Sequence, residues 1–418
     1  MQNKSYHVSQ SQSDFSRITT EPPLNADLHF LITCCQTNLS KEDIEFIHSY
    51  LNAERLELNA LIGLANQHGI LPLVYKTIKK LSEDSFLHDT KPSTNHVSPI
   101  TYHEILSAFK QQYLLIAQRN ILMSAELIRI IQLLEKNSIE TLAFKGPTLS
   151  QMAYGDITLR QYVDLDVLVK KEDIYKIDAL LKDRGYQRFL EITPVQEQVY
   201  MQYAHDLGLY HPKSGVHFEM HWSLMDEDYP MQIDLDAIWE DPQTVKINQQ
   251  EIRTFPTEEL LLYLCIHGSK HLWERIEWIK DIDLMIRTQD IDWEKVIKEA
   301  ESSRFETMFY LGLSLTMQLF ETPLPENITK HISAMKVLQP LSIFILQNWQ
   351  TPKTAFQKTA AMLKLFPGLK ERLIYLNKIL IKPSFNEYWY IDFPKGFYWL
   401  YYFLRPYLLI KKYFSTTS

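Results

Sequence analysis

Phe144-Lys145-Gly146-Pro147 and Asp164-Leu165-Asp166-Val167-Leu168-Val169 are the two segments that most constrain the fold of this chain. The second segment holds two carboxylates separated by one apolar residue, inside an apolar run that is typical of a strand. Alternation along a strand puts Asp164 and Asp166 on one face, about 7 Å apart along the chain. Two like charges this close repel each other unless a cation lies between them. The pattern therefore predicts a cation site, and a divalent metal that carries the phosphates of a nucleotide fits it.

The Lys145-Gly146 pair supplies what phosphates need. It ends one predicted strand and opens a helix whose first position is a proline. Lys145 brings positive charge, Gly146 lets the backbone come close, and the free N–H groups of a helix N-terminus attract phosphate oxygens. Arg160, four residues before Asp164, is a second candidate cation. Its alternative role is a structural ion pair with Asp164 or Asp156.

A third carboxylate, Glu219, lies in another apolar run, Val216-His217-Phe218-Glu219-Met220-His221-Trp222. Three carboxylates on adjacent strands can hold two metal ions, which activate an attacking hydroxyl and stabilise a leaving pyrophosphate. The alternative for Glu219 is an exposed strand position. His221 has the same parity as Glu219 and shares its face. It either binds substrate or is a structural histidine.

A predicted helix near residue 267 presents His267 and His271 four residues apart, with Lys270 between them. That spacing can bind zinc. A metalloprotease motif would need glutamate at position 268, which is glycine, and no third ligand is evident nearby. The pattern favours a structural seam or one wall of a substrate pocket. Farther along, Lys280 or Asp281 either reaches the site or forms an ion pair between helices.

Composition narrows the class of protein. The chain has 418 residues, 45% of them hydrophobic and 22% charged, which is enough for two or three globular domains. The net charge of -8 argues against a broad non-specific nucleic-acid surface but leaves room for a local basic groove. Three cysteines, two of them adjacent, predict no disulfide framework and favour the cytoplasm. Neither a G-x-G-x-x-G nor a GxxxxGK[ST] motif is present, so Rossmann and P-loop folds lose their support.

The order of patterns predicts an α+β fold with a small mixed β-sheet embedded between helical N- and C-terminal regions. The expected parts are a disordered tail (1–25), a helical region (26–136), a catalytic core (137–255) and a second helical region (256–418). A polar loop is expected at 86–99. Predicted strands lie at 139–144, 164–169, 186–190, 207–210 and 216–221. Pro212-Lys213-Ser214-Gly215 between the last two predicts a hairpin turn. Predicted helices of the last region lie at 257–270, 272–287, 292–320, 326–350, 354–364 and 368–381.

The segment 396–414 is unusually aromatic. Arg405-Pro406 interrupts it, and a membrane span needs about 20 apolar residues, so no transmembrane segment is expected. It is either a terminal helix packed on the core or a peripheral membrane anchor helped by Lys411 and Lys412.

The residues K-G-x-x-L at 145–149, Y-G at 154–155 and R-x-x-x-D-x-D-x-L-V at 160–169 resemble the polymerase-β type of nucleotidyltransferase. The chain is more closely similar to a bacterial nucleotidyltransferase family that is largely uncharacterised, over roughly residues 30–410. Glu219 to Trp222, His267 to Asp281 and Leu404 to Pro406 also match that family's pattern. The superfamily turn has Gly-Ser where this chain has Lys-Gly. A Lys-Gly-Gly turn also occurs in abortive-infection toxins.

The resemblance implies a Mg²⁺-dependent transfer of a nucleoside monophosphate from a nucleoside triphosphate to an acceptor hydroxyl. Asp164, Asp166 and Glu219 would hold the metal in a two-ion site that could also take Mn²⁺. Lys145, Gly146 and Arg160 would contact the triphosphate. His221, His267, Lys270 and His271 are candidate substrate residues.

The negative net charge favours a small molecule or a peptide product as acceptor. No stable nucleic-acid partner is expected, although transfer RNA is an alternative acceptor. Two other functions stay open: a toxin-like enzyme that modifies transfer RNA, and a nucleotide-binding module without activity.

Overall fold

The computed structural model describes residues 24–53, 56–83, 101–391, 393–394 and 396–414. The predicted tail, apart from its last two residues, and the predicted loop at 86–99 lie outside the described residues. Asn25 is described, and its side chain accepts a hydrogen bond from the Leu28 amide at the start of the first helix.

Among the described residues, five helices precede the sheet, within the region 26–136 that was expected to be helical. Two begin with capping boxes, in which Ser40 pairs with Asp43 and Thr101 pairs with Glu104. The fifth helix has 35 residues and carries buried apolar side chains along one side. Their bounds are α1 Ala26–Cys34, α2 Lys41–Leu51, α3 Leu58–Gln67, α4 Leu71–Glu83 and α5 Tyr102–Lys136.

A five-stranded mixed sheet forms the centre, which confirms the predicted α+β class. Its strands are β1 Thr141–Ala143, β2 Asp164–Val169, β3 Gln187–Arg188, β4 Asp206–His211 and β5 Val216–His221. The spatial order is β1-β2-β5-β4-β3, and only the β2–β5 pair is parallel. The predicted hairpin is the β4–β5 pair.

Short helices connect the strands. They are α6 Gly146–Leu149, α7 Ile174–Lys182, α8 Pro194–Tyr203 and α9 Leu235–Glu240. After α6 the chain continues in a wider π-helical turn to Tyr154. A second, two-stranded sheet that the sequence analysis did not predict pairs β6 Gln243–Ile247 with β7 Gln250–Thr254. Its turn residues, Asn248 and Gln249, both have positive φ, as a type I′ hairpin turn requires, but neither is glycine.

The two faces of the central sheet differ in chemistry. Leu165 and Val167 of β2 lie in a buried apolar cluster with Leu127 and Ile131 of α5 and with Ile177 of α7. The opposite face carries the even-numbered residues of β2. Its Leu168 belongs to the larger core that the surrounding helices share. The two aspartates therefore lie on the side of the sheet opposite α5 and α7.

Ten helices of the described chain follow the strands. Two long predicted helices, 292–320 and 326–350, are each divided in the structure, and the first break includes Arg304 at φ 66°. Left-handed backbone at Leu272 and Trp273 delays the helix that was expected to begin at residue 272. The bounds are α10 Thr257–Lys270, α11 Ile276–Thr288, α12 Trp293–Ser302, α13 Glu306–Phe320, α14 Glu326–Ala334, α15 Leu338–Gln350, α16 Ala355–Leu365, α17 Leu369–Leu380, α18 Phe385–Tyr390 and α19 Tyr401–Phe414.

Within the part of the chain that the structure describes, every helix is too short or too polar to cross a membrane.

A buried ion pair joins the loop before β2 to α11. Arg160 donates from Nε to Asp281 Oδ1 at 2.9 Å and from Nη2 to Oδ2 at 3.0 Å. The Tyr154 hydroxyl donates to the same Oδ1 at 2.8 Å. From the other side, the Asn120 amide of α5 donates to the carbonyl oxygens of Ile157 and Arg160. The loop that delivers Asp164 to β2 is therefore held by both helical regions.

Glu277 ties three parts of the chain together one helical turn away. Its carboxylate accepts a hydrogen bond from the Gln161 amide, and its own amide donates to the carbonyl oxygen of His68. The turn at Gly69 has φ 73°, and a Cβ there would lie 2.6 Å from Glu277 Oε2. Burial raises the pKa of Glu277 to about 7, although Arg160 opposes the shift. Glycine is required at this turn by both backbone conformation and space.

The Arg160–Asp281 pair makes a stability prediction. Asp281→Ala leaves a buried guanidinium without its bidentate partner, so we expect the free energy of unfolding to fall by about 3–5 kcal/mol in urea titrations. Removing both charges, in Arg160→Met with Asp281→Leu, should cost less. The control is Glu45→Gln, which breaks the exposed Lys41–Glu45 pair and should change little. Equal losses in Asp281→Ala and Glu45→Gln would contradict the role assigned to the buried pair.

Candidate active site

Strand register brings the three predicted carboxylates to one face. In the parallel β2–β5 pair, Asp166 lies beside Glu219, and Asp164 lies beside His217. Paired residues of neighbouring strands point to the same side of a sheet. The ligand atoms of Asp166, Glu219 and His221 all lie within 4.8 Å of one another.

His221 stands between two of the carboxylates. Its Nε2 lies 3.1 Å from Asp166 Oδ1 and 3.6 Å from Glu219 Oε2. Burial works to lower the pKa of His221, but hydrogen bonds to these two carboxylates outweigh it and raise the pKa to about 9. The ring is therefore a cation at neutral pH. Its contact with Phe144 is edge-on, with 5.2 Å between ring centroids.

Lys145 is the second cation of the site. Its Nζ lies 3.5 Å from Asp166 Oδ1 and 5.4 Å from the centre of the Tyr263 ring. Burial would lower the pKa of Lys145, but Asp166, Tyr263 and Asp164 together raise it above its ordinary value. Lys145 is thus charged and aimed at the carboxylates, at the end of β1.

The two aspartates of β2 have pKa values that are shifted in opposite directions. Burial raises the pKa of Asp164 to about 6, and the charge of Asp166 adds to the shift. Burial would also raise the pKa of Asp166, but Lys145 and the hydrogen bond from His221 hold it well below its usual range. Asp166 is consequently the permanent anion at the bottom of the site, and Asp164 is half-buried at its edge.

Gly146 makes a close backbone contact, but with the protein itself. Its φ is +54°, and a Cβ there would lie 3.2 Å from the Asp164 carbonyl oxygen. The residue is buried, and α6 behind it has only four residues. Glycine is therefore needed here to let the Lys145 turn pack against the start of β2.

The donor set fits a divalent metal. Asp166 Oδ2 is buried and has no hydrogen-bond partner, which is costly unless a cation or water meets it. Within the described residues, Asp166, Glu219 and His221 form the one group of at least three such side chains close enough to share an ion. Carboxylate oxygens are the ligands that Mg²⁺ prefers, and a histidine nitrogen is also compatible with Mn²⁺.

One face of α10 covers this site. Tyr263, His267 and His271 follow at helical spacing, and the Tyr263 ring meets Phe144 at 5.3 Å. The rings of His267 and His271 are 4.7 Å apart, and both contact Trp278 of α11. Burial and the charge of Lys145 hold the pKa of His267 well below its ordinary value. The structure thus places the predicted histidine pair next to Tyr263, which contacts Lys145, as a neutral aromatic wall.

Lys270 is a half-buried cation at the edge of this wall. Its Nζ lies 5.7 Å from the centre of the Tyr229 ring, and no described carboxylate oxygen lies within 4.0 Å of it. Burial lowers the pKa of Lys270 to about 8, and the charges of Lys145 and Lys378 act in the same direction. An anion brought into the site would relieve this repulsion.

Arg160 requires a correction. We expected it to contact the triphosphate or to pair with Asp164 or Asp156. Its guanidinium is instead buried and donates hydrogen bonds to both carboxylate oxygens of Asp281. Asp281 therefore serves as an anchor for the loop, and neighbouring Asp283 turns elsewhere, to Lys280 and Arg287. Arg160 thus forms a structural ion pair, which was its alternative role, but with a partner other than the two expected.

The site contains other residues that were not predicted from the sequence. Asp206 lies opposite His221 in the β4–β5 pair. Counting back from the hairpin turn puts Asp206 on the same face as Glu219 and His221, so its place could have been predicted. Tyr263 lies one helical turn before His267, so the helical spacing in the sequence could also have predicted that the two share a face. Lys378 of α17 binds Asp226 at 2.6 Å, and Asp226 in turn binds His205 at 2.6 Å. No local pattern predicts a contact across 152 positions.

Two solved structures show a partial likeness. One is the solution structure of the antibiotic-resistance factor ANT(2'')-Ia, 14% identical, covering 43% of this chain and 91% of that chain at a TM-score of 0.32. The other is the crystal structure of an antigenic nucleotidyltransferase-like protein from Paracoccidioides brasiliensis, 17% identical, covering 52% and 92% at a TM-score of 0.32. Scores this low carry no argument about the present chain.

Comparison with protein families is decisive. No curated protein matches the chain. Residues 54–321, well over half of the 418, match a family described as uncharacterised nucleotidyltransferase. The matched range includes all five strands of the central sheet and every carboxylate of the candidate site. The chain therefore belongs to the uncharacterised nucleotidyltransferase family of enzymes.

Proposed function

We propose that this protein transfers a nucleoside monophosphate from a nucleoside triphosphate to a hydroxyl of an acceptor and releases pyrophosphate. ATP is one of the proposed donors. The observation that carries the proposal is the pairing of Asp166 with Glu219 on adjacent parallel strands, with Asp164 on the same face. The acceptor we favour is a small molecule or a peptide product, because the chain is acidic overall.

Mg²⁺ is the proposed cofactor, held by Asp164, Asp166 and Glu219 in a two-ion site. The unpartnered, buried oxygen of Asp166 supports this assignment. The ion, when bound, supplies positive charge for the phosphates and favours deprotonation of the acceptor hydroxyl. Mn²⁺ would fit the same oxygen set, and His221 would add a nitrogen donor only after the ion displaces its proton.

The protein's own groups divide the remaining work. Lys145 and Lys270 would hold the triphosphate, in place of the buried Arg160. The acceptor oxygen attacks the α-phosphorus, the bond to pyrophosphate breaks, and the acceptor proton passes to Glu219, the carboxylate at the open side of the site. The wall formed by Tyr263, His267, His271 and Trp278 would exclude water from the reaction.

The proposed compartment is the bacterial cytoplasm. Cys34, Cys35 and Cys265 are all free and buried, which suits a reducing environment. Transfer RNA as acceptor and nucleotide binding without turnover are the two alternatives, and an absence of pyrophosphate release would favour the second.

Removing either aspartate should abolish turnover. We expect Asp164→Asn and Asp166→Asn each to lower Mg²⁺-dependent pyrophosphate release by about 10²–10³-fold, because each removes charge that faces the phosphates. The matched control is Asp183→Asn, an exposed aspartate at the end of α7, which should keep full activity. Thermal unfolding checks that all three variants fold. Full activity in both site variants would rule out the proposed metal site.

Metal binding is measurable without turnover. A ligand at a hundred times its dissociation constant stabilises the folded state by about 2.7 kcal/mol, so Mg²⁺ or Mn²⁺ should raise the melting temperature. The increase should disappear in Glu219→Gln and persist in Asp183→Asn. An equal increase in all three proteins would place the ion elsewhere.

The Lys270 assignment predicts an alkaline limit. Lys270 loses its proton as the pH rises through about 8, so a triphosphate that it holds binds less tightly above that pH. We expect kcat/KM for the nucleotide to fall above about pH 8, and Lys270→Arg to remove this fall because arginine stays charged. Lys213→Arg, in the exposed hairpin turn, is the control. An unchanged profile in Lys270→Arg would exclude Lys270 from nucleotide binding.

A further inference from the structure

The last helix turns an apolar face to the solvent. Phe403 is 70% exposed and Tyr407 is 56% exposed, and Tyr402 and Ile410 are exposed beside them. At helical spacing these four side chains and Pro406 lie within one arc of α19, the aromatic arc, which carries no charged residue. A surface helix normally presents polar residues on this side. Exposed apolar patches of this kind mark interaction sites.

The opposite face of α19 is firmly bound, so the orientation of the helix is fixed. Arg405 Nη1 donates to Glu387 Oε1 at 2.9 Å, and its Nη2 donates to the Ile379 carbonyl oxygen at 2.8 Å. Tyr401 is fully buried, and its hydroxyl donates to the Ile391 carbonyl oxygen at 2.9 Å. These bonds hold the aromatic arc outward.

Neighbouring aromatic residues extend the arc. Trp399 is exposed and meets Phe403 edge-on, with ring centroids 5.8 Å apart. Near the far end of the helix, Lys411 Nζ lies 5.6 Å from the centre of the exposed Tyr390 ring. Tryptophan, tyrosine and lysine in this arrangement are typical of the boundary between water and lipid.

Charge is distributed unevenly along the chain. Residues 351–418 contain 11 lysines and arginines but three acidic residues, a net charge of +8, whereas the whole chain carries -8. The aromatic arc therefore belongs to the basic end of an acidic protein. This complements an anionic surface.

We propose that the aromatic arc of α19, with Trp399, docks on the surface of an anionic lipid membrane, with the helix lying in the plane of the interface. The 14 residues of α19 span about 21 Å, less than the roughly 30 Å of a bilayer core, so the helix cannot cross it. Apolar side chains enter the headgroup layer while the basic region is attracted by the lipid charge.

Two other occupants fit the observations less well. Nucleic acid would meet the basic charge, but the arc itself carries no cation, and Phe403 and Ile410 would gain nothing from a phosphate backbone. A second copy of this chain would bring two regions of charge +8 together, and their repulsion opposes such a contact.

Vesicle sedimentation tests the proposal with the full chain. The probes are phosphatidylcholine vesicles with and without about one third phosphatidylglycerol. We expect the protein to bind the anionic vesicles, and to bind them more weakly in high salt. The double variant Phe403→Ser with Tyr407→Ser should bind with about tenfold lower affinity, which corresponds to about 1.4 kcal/mol of binding free energy. Tyr175→Ser is the matched control, because Tyr175 of α7 is 55% exposed and lies outside the basic region.

Four results would overturn the docking surface. Two concern vesicles: no binding to anionic vesicles, or equal binding by the double variant and the control. The other two are binding of transfer RNA that the double variant loses, and a dimer of the unaltered protein that the double variant no longer forms. Each is read without nucleotide, so the catalytic proposal is unaffected. Pyrophosphate release by the double variant in solution should equal that of the unaltered protein, which also shows that it folds.

Discussion

The buried bond between Arg160 and Asp281 is the constraint on which the site depends. It fixes the chain four residues before Asp164 to a helix that lies more than a hundred positions later. Two charges removed from water cost free energy unless their geometry is good, and here both carboxylate oxygens are used. With Glu277 holding the next amide, the entry to β2 cannot shift without breaking contacts in three parts of the protein.

This anchoring sets the electrostatics of the carboxylates. Because the acidic face of the sheet lies under α10, Asp166 is buried and must be balanced by Lys145 and the protonated His221. The same burial leaves Asp164 with a pKa of about 6 and Lys270 with a pKa of about 8. A site with crowded acids at the bottom and a poorly compensated cation at its rim suits a ligand that combines a divalent metal with an anionic phosphate chain.

The basic end of the chain is coupled to this site. Lys378 and Lys382 of the C-terminal region bind Asp226 and Asp228, which follow β5. Asp226 binds His205, whose ring lies 5.9 Å from that of His221. The region that carries the exposed aromatic arc is therefore attached directly behind the candidate catalytic residues. A docked protein would hold its site at a fixed position relative to the lipid surface.

The sequence alone determined what depends on neighbouring residues. Alternation and turn chemistry identified β2 and the β4–β5 hairpin, and parity put Glu219 and His221 on one face, because side-chain direction in a strand repeats every two residues. The folded structure was needed to identify the partner of Arg160, the division of the long helices and the approach of Lys378. These depend on packing between segments far apart in the chain, and a charged side chain takes whichever opposite charge the fold brings close.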